Sequence, residues 1–187
     1  MFLKRRIIAF GLRDSVELAL NQLVERNILT LVSCSQLATP IVTPLKSDGC
    51  SPRICGDYRT TLNCRLLQKT CTTPEPEDIL YKFKGSSFFS KIDLKDAYLQ
   101  IPLDDESSSQ TVLNTPFRLL RYNFLPSGLH FAPAIFQEYI NGILDGLNDI
   151  EVYQDDIFLS VSAGMIMKRK SSSYSDALSY ITWRLVR

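Results

Sequence analysis

Three aspartates in this sequence could act together: Asp93, near the end of an alternating apolar segment, and the adjacent pair Asp155 and Asp156. Carboxylate oxygens are the ligands that hard divalent cations prefer. Two Mg²⁺ ions held about 3.5–4 Å apart can activate an attacking hydroxyl and stabilise the leaving oxygen in phosphoryl transfer. The three aspartates therefore predict a two-metal site, whereas an Asp-Asp pair taken alone is more often a solvated turn.

The segments around the aspartates predict how they are positioned. Residues 87–94 alternate so that Phe88 and Ile92 would face one side of a strand and Asp93 the other. Residues 151–159 have two apolar arms around a polar centre, which predicts a hairpin with the acidic pair at its turn. Adjacent aspartates in a regular strand would point to opposite faces, but at a turn both can approach one site.

Periodicity and chain-breaking residues predict the remaining elements. Helices are expected at residues 14–29, 79–83 and 133–147, and strands at residues 39–45 and 53–58. Asp14 and Ser15 are the expected caps of the first helix, and Pro44 is expected to keep the first strand near an edge of its sheet. The last helix has Pro133 in its first turn. Its expected core residues are Phe136, Tyr139, Ile140, Ile143, Leu144 and Leu147.

Composition narrows the class of protein. The chain has 187 residues, of which 45% are hydrophobic and 22% charged, as in ordinary globular proteins. No apolar run reaches the roughly 20 residues of a membrane span, and the first residues lack the order of a secretory signal. We therefore expect an intracellular protein without a membrane partner, in either cytoplasm or nucleus. The five cysteines are odd in number and His130 is the single histidine, so a zinc or disulfide framework is not expected.

Charge is unevenly distributed although its sum is only +1. Residues 1–70 carry a balance of +5, residues 71–160 a balance of −8, and residues 161–187 a balance of +4. A basic region beside an acidic one suits an enzyme that holds polyanions on one wall and cations on the other.

The segments that contain the aspartates are FSKIDLKDAYLQIPL at residues 89–103 and YQDD at residues 153–156. They resemble the first palm motif and the aromatic-x-Asp-Asp motif of reverse transcriptases from gypsy-like long-terminal-repeat retrotransposons. Further segments agree in order and spacing: ATPIV at 38–42 with Lys46, RICGDYR at 53–59, LPSGL at 125–129 and APAIFQ at 132–137. The resemblance covers roughly residues 6–162.

This resemblance implies roles for the acidic residues. Asp93, Asp155 and Asp156 would be the catalytic carboxylates that bind metal, and the backbone carbonyl of Leu94 would add a ligand. The implied cofactor is a pair of Mg²⁺ ions, with Mn²⁺ as an alternative.

The resemblance also implies a set of nucleotide-binding residues. Lys46 and Arg53 would hold the incoming triphosphate, the one as a mobile point charge and the other as a planar donor fork. Asp96 and Ala97 would offer backbone N–H groups to the phosphates. The ring of Tyr98 would crowd the sugar 2′ position and so favour deoxynucleotides.

Ser127 and Gly128 complete the implied nucleotide-binding set, and Gly128 marks a close approach of the backbone. The sequence departs from the family pattern at Ser127, where a larger side chain is usual, and at Gln154, where an aliphatic one is usual. The basic, serine-rich residues 163–187 do not resemble the family's palm or thumb. A partner chain supplying a thumb or ribonuclease H is therefore also expected.

The expected fold is α+β, with the fingers and palm of a right-hand polymerase, an antiparallel palm sheet, packed helices and a missing or incomplete thumb. Residues 1–85 would form the fingers side, residues 86–162 the palm and residues 163–187 a divergent tail, with fingers and palm interleaved in one domain. The implied function is RNA-directed DNA polymerase, acting on an RNA or DNA template with a primer and deoxynucleoside triphosphates. Two alternatives remain open: an inactive retroelement remnant, and a nucleic-acid-binding module without catalysis.

Overall fold

The computed structural model describes residues 1–66, 75–145 and 150–161. The chain divides into two units, each formed by two separate stretches. The first unit comprises residues 1–68 and 101–132, and the second residues 69–100 and 133–187. The proposed boundaries at residues 85 and 162 remain predictions, and the predicted divergent tail at residues 163–187 lies outside the described residues.

Four α-helices and eight short strands lie within the described residues. The helices are α1 (Arg13–Glu25), α2 (Pro76–Lys82), α3 (Asp105–Gln110) and α4 (Ala132–Leu144). The strands are β1 (Leu29–Val32), β2 (Thr39–Val42), β3 (Cys55–Gly56), β4 (Phe88–Asp93), β5 (Leu113–Asn114), β6 (Leu119–Tyr122), β7 (Ile150–Tyr153) and β8 (Asp156–Val161). Short 3₁₀ turns lie at Phe10–Leu12, Tyr58–Thr60 and Ala97–Gln100. None of the helices in these ranges is long and apolar enough to cross a bilayer.

Within the described residues, each unit contains one sheet. The sheet of the first unit has the order β1-β6-β5-β2-β3, in which only the β2–β5 pair is parallel. The sheet of the second unit has the order β4-β8-β7 and is antiparallel throughout. The combination of helices with mainly antiparallel sheets agrees with the expected α+β class.

Helix α1 forms close to its predicted place but differs at both ends. The predicted caps Asp14 and Ser15 lie inside its first turn, and the N-cap position is held by Leu12 without a side-chain hydrogen bond. Ser15 instead donates its hydroxyl to the Leu12 carbonyl at 2.9 Å. The helix ends before residue 29 because Asn27 adopts a left-handed backbone with φ of 56°.

The first predicted strand lies near a sheet edge, as expected, because only the two-residue strand β3 lies outside it in this sheet. Strand β2 pairs with β5 through Thr39 and Pro40 and with β3 through Ile41 and Val42, so it has a neighbour on each side. Pro44 does not prevent this pairing because it follows the strand and interrupts no ladder bond.

Helix α4 confirms the helix that was predicted from residue 133 onward, where the apolar spacing in the sequence is clearest. Pro133 is its second residue, and Phe136 and Ile140 are completely buried. Tyr139, which was predicted to be a core residue, is 38% exposed. It borders the apolar stripe, and its long side chain can keep its polar end in water. The predicted extension to Leu147 lies outside the described residues.

Gly128 offers a test of backbone strain in the first unit. It has φ of +98°, and a Cβ atom there would stand 2.9 Å from the Gly56 carbonyl oxygen. We expect Gly128→Ala to lower the free energy of unfolding by about 2 kcal/mol, because alanine would meet both an unfavourable backbone and a close contact. Urea denaturation would measure the loss.

Gly142, within α4, is the matched control. None of the described residues has an atom within 4 Å of the place that a Cβ atom at Gly142 would occupy. Gly142→Ala should therefore raise the free energy of unfolding by roughly 0.5–1 kcal/mol, because alanine restricts the unfolded chain and favours the helix. Effects of the same sign for the two variants would refute this interpretation of Gly128.

Candidate active site

The sheet of the second unit brings the three candidate carboxylates to one end. Asp93 is the last residue of β4 and is the register partner of Asp156, the first residue of β8. The backbone N–H of Leu94 donates to the carbonyl of Asp155 at 3.1 Å. Residues distant in sequence thus become direct neighbours through strand pairing.

The β7–β8 hairpin places the acidic pair at its turn, as the sequence predicted. Tyr153 and Asp156 are the last paired residues, so Gln154 and Asp155 form a two-residue turn. Gln154 has a left-handed backbone with φ of 53°, which is uncommon outside glycine. The surroundings must therefore hold this turn in place.

Gln137 on α4 is the buried side chain that holds the turn. Its Oε1 accepts a hydrogen bond from the backbone N–H of Gln154 at 3.2 Å, and its Nε2 donates to the carbonyl of Val152 at 3.1 Å. The Nε2 group also donates to Asn141 Oδ1 at 2.9 Å. Gln137 is only 2% exposed. Sequence reasoning missed this role, although an amide beside the apolar stripe of α4 was a signal for it.

Replacing Gln137 by leucine should destabilise the hairpin turn. The Gln154 N–H and the buried Val152 carbonyl would both lose the Gln137 side chain as a partner, and one unpaired buried polar group costs about 1–3 kcal/mol. We expect a loss of about 2 kcal/mol in the free energy of unfolding, measured by urea denaturation. Asn141→Ala is the control because Asn141 is exposed and its removal leaves both bonds to the hairpin intact. A loss as large in Asn141→Ala would contradict the assigned role.

Tyr98 lies beside the carboxylate of Asp155. It belongs to the 3₁₀ turn Ala97–Gln100, which follows Asp96 at φ of 53°. Its ring packs edge-on against Phe136, with centroids 5.4 Å apart. Burial, together with the charge of Asp155 and a hydrogen bond to it, raises the pKa of Tyr98 to about 12. This contact was not foreseen, and the implied contacts of Asp96, Ala97 and Tyr98 with a nucleotide remain predictions.

The partners of the carboxylates indicate whether these residues could bind a metal ion. Asp156 forms an ion pair with Lys91, in which Asp156 Oδ2 and Lys91 Nζ are 2.8 Å apart. Asp155 Oδ1 is buried and has no hydrogen-bond partner among the described residues. Within that part of the chain, no group of three or more acidic, histidine or cysteine side chains converges as a metal-binding cluster. The oxygen donors and the unpartnered Asp155 oxygen fit a hard cation, while the present partners of Asp155 and Asp156 are Tyr98 and Lys91.

The predicted phosphate-binding residues lie in the first unit, on two arms of one loop. Lys46 N–H donates to the Ser51 carbonyl at 2.8 Å, and Arg53 N–H donates to the Pro44 carbonyl at 2.7 Å. Both side chains are exposed. Asp48 shapes the turn between them. Hydrogen bonds from Ser51, and a weaker one from the backbone N–H of Cys50, lower the pKa of Asp48 to about 2.

Ser127 and Gly128 also lie in the first unit. The Ser127 hydroxyl approaches Cys55 Sγ at 3.8 Å, and the Gly128 carbonyl accepts from Asn63 Nδ2 at 2.9 Å. Both residues therefore lie near the 3₁₀ turn Tyr58–Thr60 and strand β3. Their implied contact with a nucleotide remains a prediction.

Comparison with protein families gives one match over most of the chain. Residues 44–181 match the family described as "Reverse transcriptase (RNA-dependent DNA polymerase)". An uncharacterized protein of Caenorhabditis elegans is 36% identical over 164 residues, covering 87% of this chain and 13% of that protein. The retrovirus-related Pol polyprotein from transposon 297 of Drosophila melanogaster is 36% identical over 123 residues, covering 63% of this chain and 12% of the polyprotein. The chain thus spans about an eighth of these relatives.

Solved structures share the fold at low sequence identity. A foamy viral protease-reverse transcriptase in complex with double-stranded DNA is 24% identical with a TM-score of 0.77, covering 88% of this chain and 28% of that one. The foamy viral enzyme in complex with an RNA/DNA hybrid is 21% identical with a TM-score of 0.79, covering 99% of this chain and 24% of that one.

Proposed function

Because the chain belongs to the reverse transcriptase (RNA-dependent DNA polymerase) family, we propose that it carries the nucleotidyl-transfer core of a gypsy-like retrotransposon. The expected polymerase fold is confirmed by the solved structures. The gypsy-like subgroup is supported by the sequence motifs and by the identity with the transposon 297 polyprotein. We place the reaction inside the cell and leave nucleus and cytoplasm open.

One observation carries the proposed chemistry: Asp93 and Asp156 are register partners, and the Leu94–Asp155 backbone bond closes the same end of the sheet. Three carboxylates at one sheet end can hold hard cations through oxygen. We assign Asp93, Asp155 and Asp156 as catalytic metal ligands, with the backbone carbonyl of Leu94 as a further ligand. The bound ions, two Mg²⁺ or in their place Mn²⁺, would supply Lewis-acid activation and charge stabilisation for transfer to a primer 3′ hydroxyl.

The other residues of the second unit support this arrangement. Gln137 holds the turn that carries Asp155, and the hydroxyl of Tyr98 lies in the field of the same carboxylate. With its pKa raised, Tyr98 stays neutral at physiological pH and acts as a donor. Its ring, supported by Phe136, is the assigned filter against ribonucleotides. Positioning and electrostatics would therefore carry most of the rate.

Residues of the first unit are assigned to the nucleotide. Lys46 and Arg53 are exposed and flank one loop, where their charges are available to the phosphates of a deoxynucleoside triphosphate. Ser127 and Gly128 are assigned to the nucleotide pocket from motif position. Backbone N–H groups of Asp96 and Ala97 complete the triphosphate contacts.

The proposed macromolecular partner is a primed template of RNA or DNA. The solved structures of the foamy viral enzyme contain double-stranded DNA or an RNA/DNA hybrid, which are the duplexes that such a reaction produces. Because the chain spans about an eighth of these two relatives, we propose that a further segment or partner chain supplies thumb and ribonuclease H functions.

Primer extension on a primed RNA template tests the proposed function. The folded chain should add deoxynucleotides in a Mg²⁺-dependent and template-dependent manner and should use ribonucleotides poorly. Salt-sensitive binding of the primed template without extension would instead indicate a nucleic-acid-binding module. Cooperative unfolding with neither binding nor extension would indicate an inactive remnant.

A further inference from the structure

A lysine ammonium lies at the carboxylate end of the β4–β8 ladder. Lys91 Nζ is 2.8 Å from Asp156 Oδ2 and 5.9 Å from the centre of the Phe158 ring. Lys91 precedes Asp93 by two residues in the same strand, so both side chains leave the sheet on one face. Asp93 is in turn the register partner of Asp156. One ammonium group therefore neighbours two of the three assigned ligands.

We propose that Lys91 is a resident counter-ion of the catalytic aspartates, and that a divalent cation must displace its ammonium from Asp156 in order to bind. The inference rests on the proposed function, because it takes Asp156 to be a metal ligand. It gives Lys91 a positioning role that opposes metal binding and keeps the carboxylates from repelling one another in the metal-free chain.

The electrostatics of the site support this role. The Lys91 ammonium lies 2.8 Å from an Asp156 carboxylate oxygen and on the strand face that also carries Asp93. The Phe158 ring also favours a cation at this position.

The solvent exposure of Lys91 and Asp156 determines how strongly the lysine ammonium competes with a divalent cation for the carboxylate. The side chain of Lys91 is 57% exposed and that of Asp156 is 26% exposed, so solvent screens their attraction. Exposed ion pairs of this kind are weak, and the displaced ammonium can move into water. Removing the charge of Lys91 should therefore tighten divalent-metal binding by roughly two- to fivefold.

A second lysine of the same unit provides a matched control. Lys82 Nζ lies 2.7 Å from Glu151 Oε1, and the Lys82 side chain is 58% exposed. Lys82→Gln changes the net charge as Lys91→Gln does and also breaks one surface ion pair. It leaves the three assigned aspartates untouched, so a general charge effect would appear equally in both variants.

The test measures Mn²⁺ binding by the full 187-residue chain. Electron paramagnetic resonance would report the free Mn²⁺, and isothermal titration calorimetry would give the Kd independently. Lys91→Gln should lower the Mn²⁺ Kd two- to fivefold, whereas Lys82→Gln and Lys91→Arg should leave it near the wild-type value. Metal should also raise the thermal midpoint of Lys91→Gln more than that of the wild type. Binding by Lys91→Gln that is equal to or weaker than wild type would overturn the inference.

The Asp155→Asn, Asp156→Asn double variant separates this inference from the function on which it rests. If Mn²⁺ binding by the wild type persists in the double variant, the aspartates are not the metal site, and both ideas fail. If binding is lost in the double variant and Lys91→Gln behaves as wild type, only the role of Lys91 fails.

Discussion

Replacing Asp155 and Asp156 together by asparagine is expected to lower Mg²⁺-dependent primer extension by at least about a thousandfold. The change removes two negative charges from the sheet end where Asp93 and Asp156 are register partners. An amide oxygen is a poorer ligand for a hard cation than a carboxylate, so the developing charge on the phosphoryl group would lose its stabilisation. Single-turnover extension of a labelled primer on an RNA template measures the effect.

The chain contains its own control for this experiment, a second adjacent pair of aspartates. Asp104 caps α3 by accepting from the Ser107 N–H at 2.7 Å, and asparagine caps helices about as well as aspartate. Asp105 forms a long ion pair with Arg121, at 3.5 Å, and its side chain is 96% exposed. Asp104→Asn, Asp105→Asn therefore changes the charge equally and should keep extension close to wild type. Equal losses in the two double variants would reject the assignment of the catalytic carboxylates.

Phe136→Ala is expected to lower the free energy of unfolding by about 3–5 kcal/mol. Phe136 is completely buried in α4, and its ring meets the ring of Tyr98 edge-on. Truncation would remove a large apolar surface, leave a cavity and take away the support on which Tyr98 rests. Urea denaturation measures the stability. A ribonucleotide-against-deoxynucleotide extension ratio would report whether Tyr98 has lost its orientation.

Tyr139 on the same helix is the comparison for this change. It is 38% exposed, so Tyr139→Ala should cost no more than about 1 kcal/mol. Both substitutions replace an aromatic residue by alanine in one helix, and therefore share any gain in helix propensity. If the two variants lost similar amounts of stability, α4 would not bury the face that the structure shows.

Local signals were sufficient for several elements of this fold. The apolar spacing of α4 and its early Pro133 predicted the helix, because both are set by residues within a few turns of one another. The β7–β8 hairpin was predicted for the same reason, since its turn and both arms lie within 12 residues, from Ile150 to Val161. The structure confirms both elements near their predicted places.

Predictions that depended on distant partners were less secure. The parallel pairing of β2 with β5 was not predicted, because β5 lies far along the chain and no local sequence pattern indicates that pairing. The expected burial of Tyr139 was wrong because helical spacing identifies an apolar stripe but not the width that neighbouring elements cover.

The sequence by itself determined the family and the identity of the candidate carboxylates, because Asp93, Asp155 and Asp156 stand in short motifs with distinctive flanking residues. Only the tertiary structure decided what surrounds them. The hydrogen bond of Gln137 to the hairpin turn, the electrostatic interaction of Tyr98 with Asp155 and the ion pair of Lys91 with Asp156 each join residues that are far apart in the chain. Such contacts arise from strand register and helix packing. Because register and packing depend on the burial of whole elements, no single sequence motif predicts them.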